Sequence, residues 1–208
     1  LVCDDYSGYK ARFQSGQVIE VGSMAHARRK FHELHVTGKS QVAEQALVLI
    51  QKLYAIEAEL RKKTDGTAEQ RCDYRQQHSP PVMQQLYEWL NQHQLTVPSS
   101  SPTAKAINYT LKRWPALSRY LDDGNLPIDN NWVENQMRPW ALGRKNWLFA
   151  GSLRSGQRAA NIMTLIQSAK LNGLDPYAYL SDVLKRLPTH KVTQIEELLP
   201  HCWKLKSN

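Results

Sequence analysis

Residues 42–60 read VAEQALVLIQKLYAIEAEL, and apolar side chains recur along this stretch at alternating intervals of four and three. The positions on this seam are Val42, Ala46, Leu49, Leu53, Ile56 and Leu60. Such spacing is typical of a helix that packs lengthwise against another helix. Because the seam covers fewer than three heptads, packing within the chain is favoured over a dimerisation coil. The middle of the chain is therefore predicted to be helical.

Helical patterns continue on the C-terminal side of the seam. A polar stretch at 64–79 is predicted to interrupt them, and further helices are predicted at 82–93 and 103–121. The breaker-rich sequence VPSSSP at 97–102 separates these two helices. The central half of the chain is thus predicted to be a group of helices joined by short polar connections.

Two more helices are predicted near the C-terminal end. Residues 156–172 carry apolar side chains on one face, and Gly173 lies where a C-terminal cap is expected. Asp175 supplies an N-cap and Pro176 a first-turn proline for a helix through about Leu187. The two elements predict a compact helical hairpin.

The N-terminal residues predict a strand–helix–strand unit. Residues 1–3 and 18–22 have the pattern of short apolar strands, with room for a small helix at 6–13 between them. Such a crossover makes the strands parallel and places Asp4 and Asp5 at a carboxyl end, where open α/β sheets carry their sites. Since the chain opens within a strand pattern, the predicted fold class is a mostly helical α/β fragment.

Composition is that of a basic globular protein. The 208 residues are 41% hydrophobic and 22% charged, and 27 Lys and Arg against 19 Asp and Glu give a net charge of +8. This balance favours nucleic acid or an anionic surface, or else marks a merely basic protein. No apolar run approaches the roughly 18 residues that span a bilayer, so a cytosolic protein without a membrane partner is expected. Three scattered cysteines indicate ordinary thiols.

An acid at 134 is followed by a long basic tract. Asn131 and Glu134 have capping-box spacing, so one role for Glu134 is to cap a helix start. Residues 135–174 contain no Asp or Glu, which favours a metal-binding carboxylate beside cations that bind phosphate. The cations in this tract are Arg138, Arg144, Lys145, Arg154, Arg158 and Lys170.

Tryptophans interleave with these cations at 132, 140 and 147. Their rings could stack on exposed bases, although tryptophan is more often a packing residue, and two of the three are assigned to packing. Trp147 is kept as a DNA-binding candidate together with Arg138, Arg144, Lys145, Arg154 and Arg158.

Four ordered motifs resemble the insertion-sequence-sixty-six family of bacterial transposases. They are CDDYSGY at 3–9, HARRKF at 26–31, DNNxxE at 129–134 and GRKNWLFAGS at 143–152. The sequence NGLDPYxYL at 172–180 is similar to that family's C-terminal element. The resemblance implies domains at 1–152, a partial catalytic domain with a helical insertion at about 36–122, and at 156–204, the C-terminal helical element.

The resemblance also implies an activity and a site. The family's catalytic domain has a ribonuclease H-like fold, in which two Asp and one Glu hold two divalent metals, Mg²⁺ or Mn²⁺, for cleavage and joining of DNA. Asp4 matches the second Asp and Glu134 the Glu. The implied partners are the DNA ends of the insertion element and its target, with an oligomer as the active assembly and the nucleoid as its location.

One catalytic position has no counterpart here, because the family's first Asp lies upstream of the residues in this chain. Asp5 is expected to be a turn residue, Glu20 a strand-face residue and Asp129 a helix-start cap. The chain alone is therefore expected to be inactive in cleavage, and a non-catalytic DNA-binding or regulatory remnant is the alternative.

Further residues are possible parts of the site. His26 is expected to be either a site residue near the implied metals or a helix cap or core contact, and Arg28 and Arg29 either contact phosphate or form a solvated face. Asn131 belongs to the DNNxxE motif. Position 23 is Ser where the family commonly has Cys.

Overall fold

The computed structural model describes residues 1–63 and 66–204, and it divides into two units, Leu1–Trp132 and Val133–Asn208. The elements in chain order are β1 (Val2–Cys3), α1 (Lys10–Gln14), β2 (Val21–Gly22), α2 (Met24–Gly38), α3 (Gln41–Lys63), α4 (Ala68–Thr96), α5 (Pro102–Lys112), α6 (Trp114–Ser118), α7 (Asn131–Trp147), α8 (Leu153–Leu171) and α9 (Pro176–Arg186). The predicted mostly helical chain with a small strand content is confirmed. In the described ranges, no helix is both long and apolar enough to cross a membrane.

The two strands form a parallel pair, as predicted. Val2 lies opposite Val21 and Cys3 opposite Gly22. The second strand is shorter than the predicted 18–22, because it begins only at Val21. A short 3₁₀ turn and α1 connect the strands, so the crossover is close to the expected one. Asp4 follows directly on the end of β1.

The helical core of the first unit lies between α2, α3, α4 and α5. Phe31, Leu53, Leu86 and Ile107 are fully buried in it, one from each of these helices. The seam of α3 packs against α2 and α4 of the same chain, which confirms the intramolecular alternative. Its buried face also includes Glu57, a charged residue among apolar neighbours.

The predicted interruption at 64–79 is wrong for residues 68–79, whereas residues 66 and 67 do lie between helices. Thr64 and Asp65 lie outside the described residues, but α4 begins at Ala68 and continues through two internal prolines to Thr96. The Thr67 side chain accepts a hydrogen bond from the Gln70 amide and caps the helix start. The first part of α4 has no apolar periodicity in the sequence, because polar residues form part of its buried face.

Arg75 is the centre of that buried polar face. Its Nε and Nη2 donate to the two carboxylate oxygens of Glu57, each at 2.8 Å. Its Nη1 donates to the carbonyls of Tyr120 at 2.9 Å, Asp123 at 3.2 Å and Leu126 at 2.8 Å. One guanidinium thus joins α4, α3 and the turn that follows α6.

The predicted helix at 103–121 is divided in two. Its first part, α5, is capped by Ser101, whose hydroxyl accepts from the Ala104 amide at 3.0 Å. The division falls at Arg113, and Pro115 lies in the first turn of α6. A proline has no amide to donate to the preceding turn, so a new helix begins there.

The C-terminal hairpin is confirmed. Helix α8 begins at Leu153, three residues earlier than predicted, because the Ser152 hydroxyl accepts from the Ser155 amide. Gly173 follows α8 with φ of +72°, the left-handed conformation of a C-terminal cap. Asp175 caps α9 by accepting from the Ala178 amide at 2.7 Å. The predicted domain division between 152 and 156 stays a prediction.

A small core holds the hairpin to the segment that follows it. Tyr179 is fully buried, and its hydroxyl donates to the Leu198 carbonyl at 2.8 Å. Ala169 and Val183 are buried beside it. The C-terminal element therefore has a core of its own.

Replacing Glu57 by Leu is expected to lower the free energy of unfolding by about 3–5 kcal/mol, because the Arg75 charge would stay buried without its partner. Urea unfolding followed by circular dichroism measures the change. The control is Glu59→Leu, which removes an exposed carboxylate of the same helix and is expected to leave the urea midpoint unchanged. Similar losses from both variants would show that burial of the ion pair is unimportant.

Candidate functional site

Asp4 lies at the carboxyl edge of the two-stranded sheet. Its side chain is half-buried, and its Oδ1 accepts a hydrogen bond from the Tyr6 amide at 3.1 Å. Because Cys3 pairs with Gly22, the next residue of each strand comes to the same edge, so Ser23 is the counterpart of Asp4. This is the edge at which an open parallel sheet carries its site.

Arg113 secures that edge from the helical side. Its Nη1 donates to Asp5 Oδ1 at 2.9 Å, and its Nη2 lies 2.9 Å from Glu20 Oε1 and 3.2 Å from the Asp4 carbonyl. The side chain is 6% exposed. Asp5 and Glu20, expected to be a turn residue and a strand-face residue, thus also share one buried cation.

Cys3, the residue before Asp4, is a buried thiol without a disulfide partner. Burial raises its pKa above the ordinary value, and the nearby Glu20 carboxylate raises it further. The thiol therefore stays protonated near neutral pH. This agrees with the expectation that Cys3 is an ordinary thiol.

The segment that leads into α7 is bonded to the end of β2. The Ile128 carbonyl accepts from the Met24 amide at 3.0 Å. The Asn130 amide donates to the Ser23 hydroxyl at 3.4 Å. Residues 128–130 therefore lie at the same sheet edge as Asp4, although more than a hundred residues of sequence separate them.

Asp129 organises the start of α7, as predicted. Its Oδ1 accepts from the Asn131 amide at 3.0 Å, and its Oδ2 accepts from the Asn131 side-chain amide at 3.0 Å. The Tyr54 hydroxyl donates to the same Oδ2 at 2.8 Å. Asn131 is the first helical residue rather than the residue before the helix, and Glu134 follows one turn later, half-buried.

Helices α7 and α8 present the basic tract to solvent. No residue of α7 is buried, and its cations are fully available on its surface. The exposed cations of the two helices are Arg138, Arg144, Lys145, Arg154, Arg158 and Lys170. Their role in DNA binding stays a prediction.

Two of the three tryptophans pack against each other, but none of the three is buried in a core. Trp132, Trp140 and Trp147 are 62%, 37% and 49% exposed. The rings of Trp140 and Trp147 stack with centroids 5.6 Å apart, and Trp147 Nε1 donates to the Trp140 carbonyl at 3.1 Å. Gly143 makes this possible, because a Cβ there would lie 2.2 Å from the Trp147 ring.

The remaining candidates lie in the first turns of α2. His26 and Arg28 are half-buried, and Arg29 is exposed. Throughout residues 1–63 and 66–204, no three His, Cys, Asp or Glu side chains gather as a group that could hold a metal ion. The structure therefore adds no alternative metal site to the predicted one.

Comparison with known proteins decides the family. Residues 1–158 match the family model described as Transposase IS66 family, and residues 164–201 match the model of the IS66 C-terminal element. The chain belongs to the IS66 transposase family. No solved structure matches it.

Three proteins of Sinorhizobium fredii (strain NBRC 101917 / NGR234) are similar to this IS66-family chain. They are described as uncharacterized proteins y4jD, y4qI and y4hP. All three are 40% identical to the chain, over 98%, 99% and 88% of its length, respectively. The matches cover 41%, 39% and 35% of these relatives. The chain thus spans about two fifths of their length.

Sequence reasoning missed two residues that bond to the sheet edge at the candidate site of this IS66-family chain. Arg113 and Tyr54 lie within the predicted helical insertion, and their partners are 108 and 75 residues away. No local spacing indicates such bonds. At Ser23 there was one indication in the sequence, because the family commonly has Cys at this position. In the structure the Ser23 hydroxyl accepts a hydrogen bond from the Asn130 amide.

Replacing Arg113 by Met is expected to lower the free energy of unfolding by about 2–3 kcal/mol, because Asp5 and Glu20 lose the cation that they share. Urea unfolding measures it, with Lys112→Met as the matched control because Lys112 is exposed. An unchanged midpoint for Arg113→Met would contradict the role of this cation at the sheet edge.

Proposed function

We propose that this chain carries part of the catalytic apparatus of a DDE transposase, with Asp4 and Glu134 as its metal-binding carboxylates. The family supports transposition as the process. The observation that carries the proposal is the bonding of residues 128–130 to the end of β2, beside Asp4. Glu134 lies one turn beyond that segment on α7. In this proposal, β1 and β2 belong to a larger ribonuclease H-like sheet.

The metal would be Mg²⁺ or Mn²⁺, which suit carboxylate oxygens. Such ions, when bound, activate a water or a terminal 3′-hydroxyl for attack on a phosphodiester and stabilise the leaving oxygen. The neighbouring acids do not complete the donor set, because Asp5 and Glu20 pair with Arg113 and Asp129 holds the start of α7. We propose that the third carboxylate comes from outside these 208 residues, so that the chain alone does not cleave DNA.

The proposed partner is the DNA of element ends and target, bound in the nucleoid by an oligomer. Exposed cations of α7 and α8 suit backbone phosphates, and the exposed stacked pair Trp140 and Trp147 suits unpaired bases. The same surface supports a second candidate function, a DNA-binding or regulatory remnant without chemistry. The absence of a three-ligand group from the described residues favours this candidate for the isolated chain.

Glu134→Gln, placed in a longer transposase that contains these residues, is expected to abolish metal-dependent strand cleavage and to leave DNA binding intact. The amide keeps the size of the side chain but removes the charge that holds the metal. Cleavage of labelled element ends and a parallel binding assay measure the two effects. The control is Glu44→Gln, an exposed residue of α3. Retained cleavage would return Glu134 to a helix-capping role.

A double variant, Arg144→Ala with Lys145→Ala, is expected to weaken DNA binding by the chain and to make it less sensitive to salt. For each phosphate that the variant no longer neutralises, the slope of log affinity against log salt becomes shallower by roughly 0.7–0.9. Fluorescence anisotropy over a salt series measures this slope. Lys62→Ala with Lys63→Ala removes two exposed cations of α3 and controls for net charge. Equal decreases in affinity for the two double variants would argue against a specific surface.

A further inference from the structure

A tyrosine of the helical insertion reaches the first turn of α7. Tyr54 lies on α3, half-buried, with its ring packed against the core of the first unit. Its hydroxyl donates at 2.8 Å to Asp129, which is 75 residues further along the chain. Asp129 in turn accepts the backbone and side-chain amides of Asn131. The carboxylate thus connects a core helix to the first residue of α7.

We propose that Tyr54 is a positioning residue for Glu134, acting through Asp129 on the first turn of α7. The proposal rests on the function proposed for Glu134. Glu134 is three positions after Asn131, about 4.5 Å along a helix axis, so both lie in one helical turn. A carboxylate held by several donors has few orientations. The bond from Tyr54 therefore restricts the position of Asn131, the first residue of α7.

Such a restriction matters for chemistry that depends on position. A displacement of about 1 Å at a reacting group costs on the order of a hundredfold in rate. Hydrogen bonds to Met24 and Ser23 hold residues 128 and 130, which precede α7. Asp129 Oδ1, in contrast, accepts from the amide of Asn131 in the helix itself. Loss of the tyrosine hydroxyl would therefore loosen the helix start more than the segment before it.

The donor role of Tyr54 persists over the working pH range. Burial raises its pKa well above the ordinary value, the hydrogen bond to Asp129 adds to this, and the nearby Arg28 opposes it in part. The phenol thus remains protonated at neutral pH and can always donate. Its partner accepts as a carboxylate, and a hydrogen bond to a charged acceptor is among the stronger ones in proteins.

Amide hydrogen exchange on the 208-residue chain tests the structural half of the proposal. Tyr54→Phe removes one oxygen and keeps the ring. The amides of Asn131 and Asn135 are expected to exchange about five- to tenfold faster, as the loss of one such bond implies. Amides around Leu53 and Leu86 in the core should keep their protection. Tyr87→Phe, the same change at a more exposed tyrosine of α4, should alter neither set.

Cleavage kinetics in the longer transposase test the catalytic half. Tyr54→Phe is expected to lower kcat by about ten- to a hundredfold at unchanged KM for DNA, because a positioning defect acts on the reacting groups. Wild-type exchange at 131–135, or wild-type kcat, would overturn the positioning role. Glu134→Gln distinguishes the two proposals. If the Glu134→Gln enzyme still cleaves DNA, the proposed function itself fails. If Glu134→Gln abolishes cleavage but Tyr54→Phe keeps the wild-type kcat, only the positioning role is overturned.

Discussion

The buried ion pair between Arg75 and Glu57 is the interaction on which the geometry of the first unit depends. A guanidinium that is 3% exposed must bond within the protein, because an unpaired charge there costs about 3–5 kcal/mol. The Glu57 carboxylate accepts hydrogen bonds from two of its nitrogens, and carbonyls of the turn that ends at Leu126 accept from the third. Leu126 precedes Ile128 by two residues, so Arg75 fixes the chain close to the point where Ile128 bonds the start of α2 at the sheet edge.

The helices between β2 and α7 also contribute to the candidate site. Their side chains reach the sheet edge twice. Arg113 holds the carbonyl of Asp4, and Tyr54 holds Asp129. Two strands of two residues each have too few ladder bonds to fix their own edge. The helices supply further constraints on this edge through these two contacts.

Local patterns in the sequence predicted the structural features that depend on residues close together in the chain. The strand pair, the α3 seam and the cap at Asp175 all follow from periodicity or from residues adjacent in sequence. The first part of α4 did not, because Arg75 faces the core with a partner 18 residues away. Asp4 and Glu134 came from motif resemblance, and the bonds that hold the edge around Asp4 came only from the structure, since no spacing rule connects Arg113 to Asp5.

Pairing also separates the roles of acids that lie close together. A guanidinium at hydrogen-bond distance competes directly with a divalent cation for carboxylate oxygens, and Asp5 and Glu20 both have one. Within the part of the chain that the structure describes, the Asp4 carboxylate is instead bonded to the Tyr6 amide and to no cation. A backbone amide occupies one oxygen lone pair without neutralising the charge. Asp5 and Glu20 thus use their charges to hold Arg113 and, through its bond to the Asp4 carbonyl, the strand end that carries Asp4, whereas the Asp4 carboxylate takes no part in this ion pair.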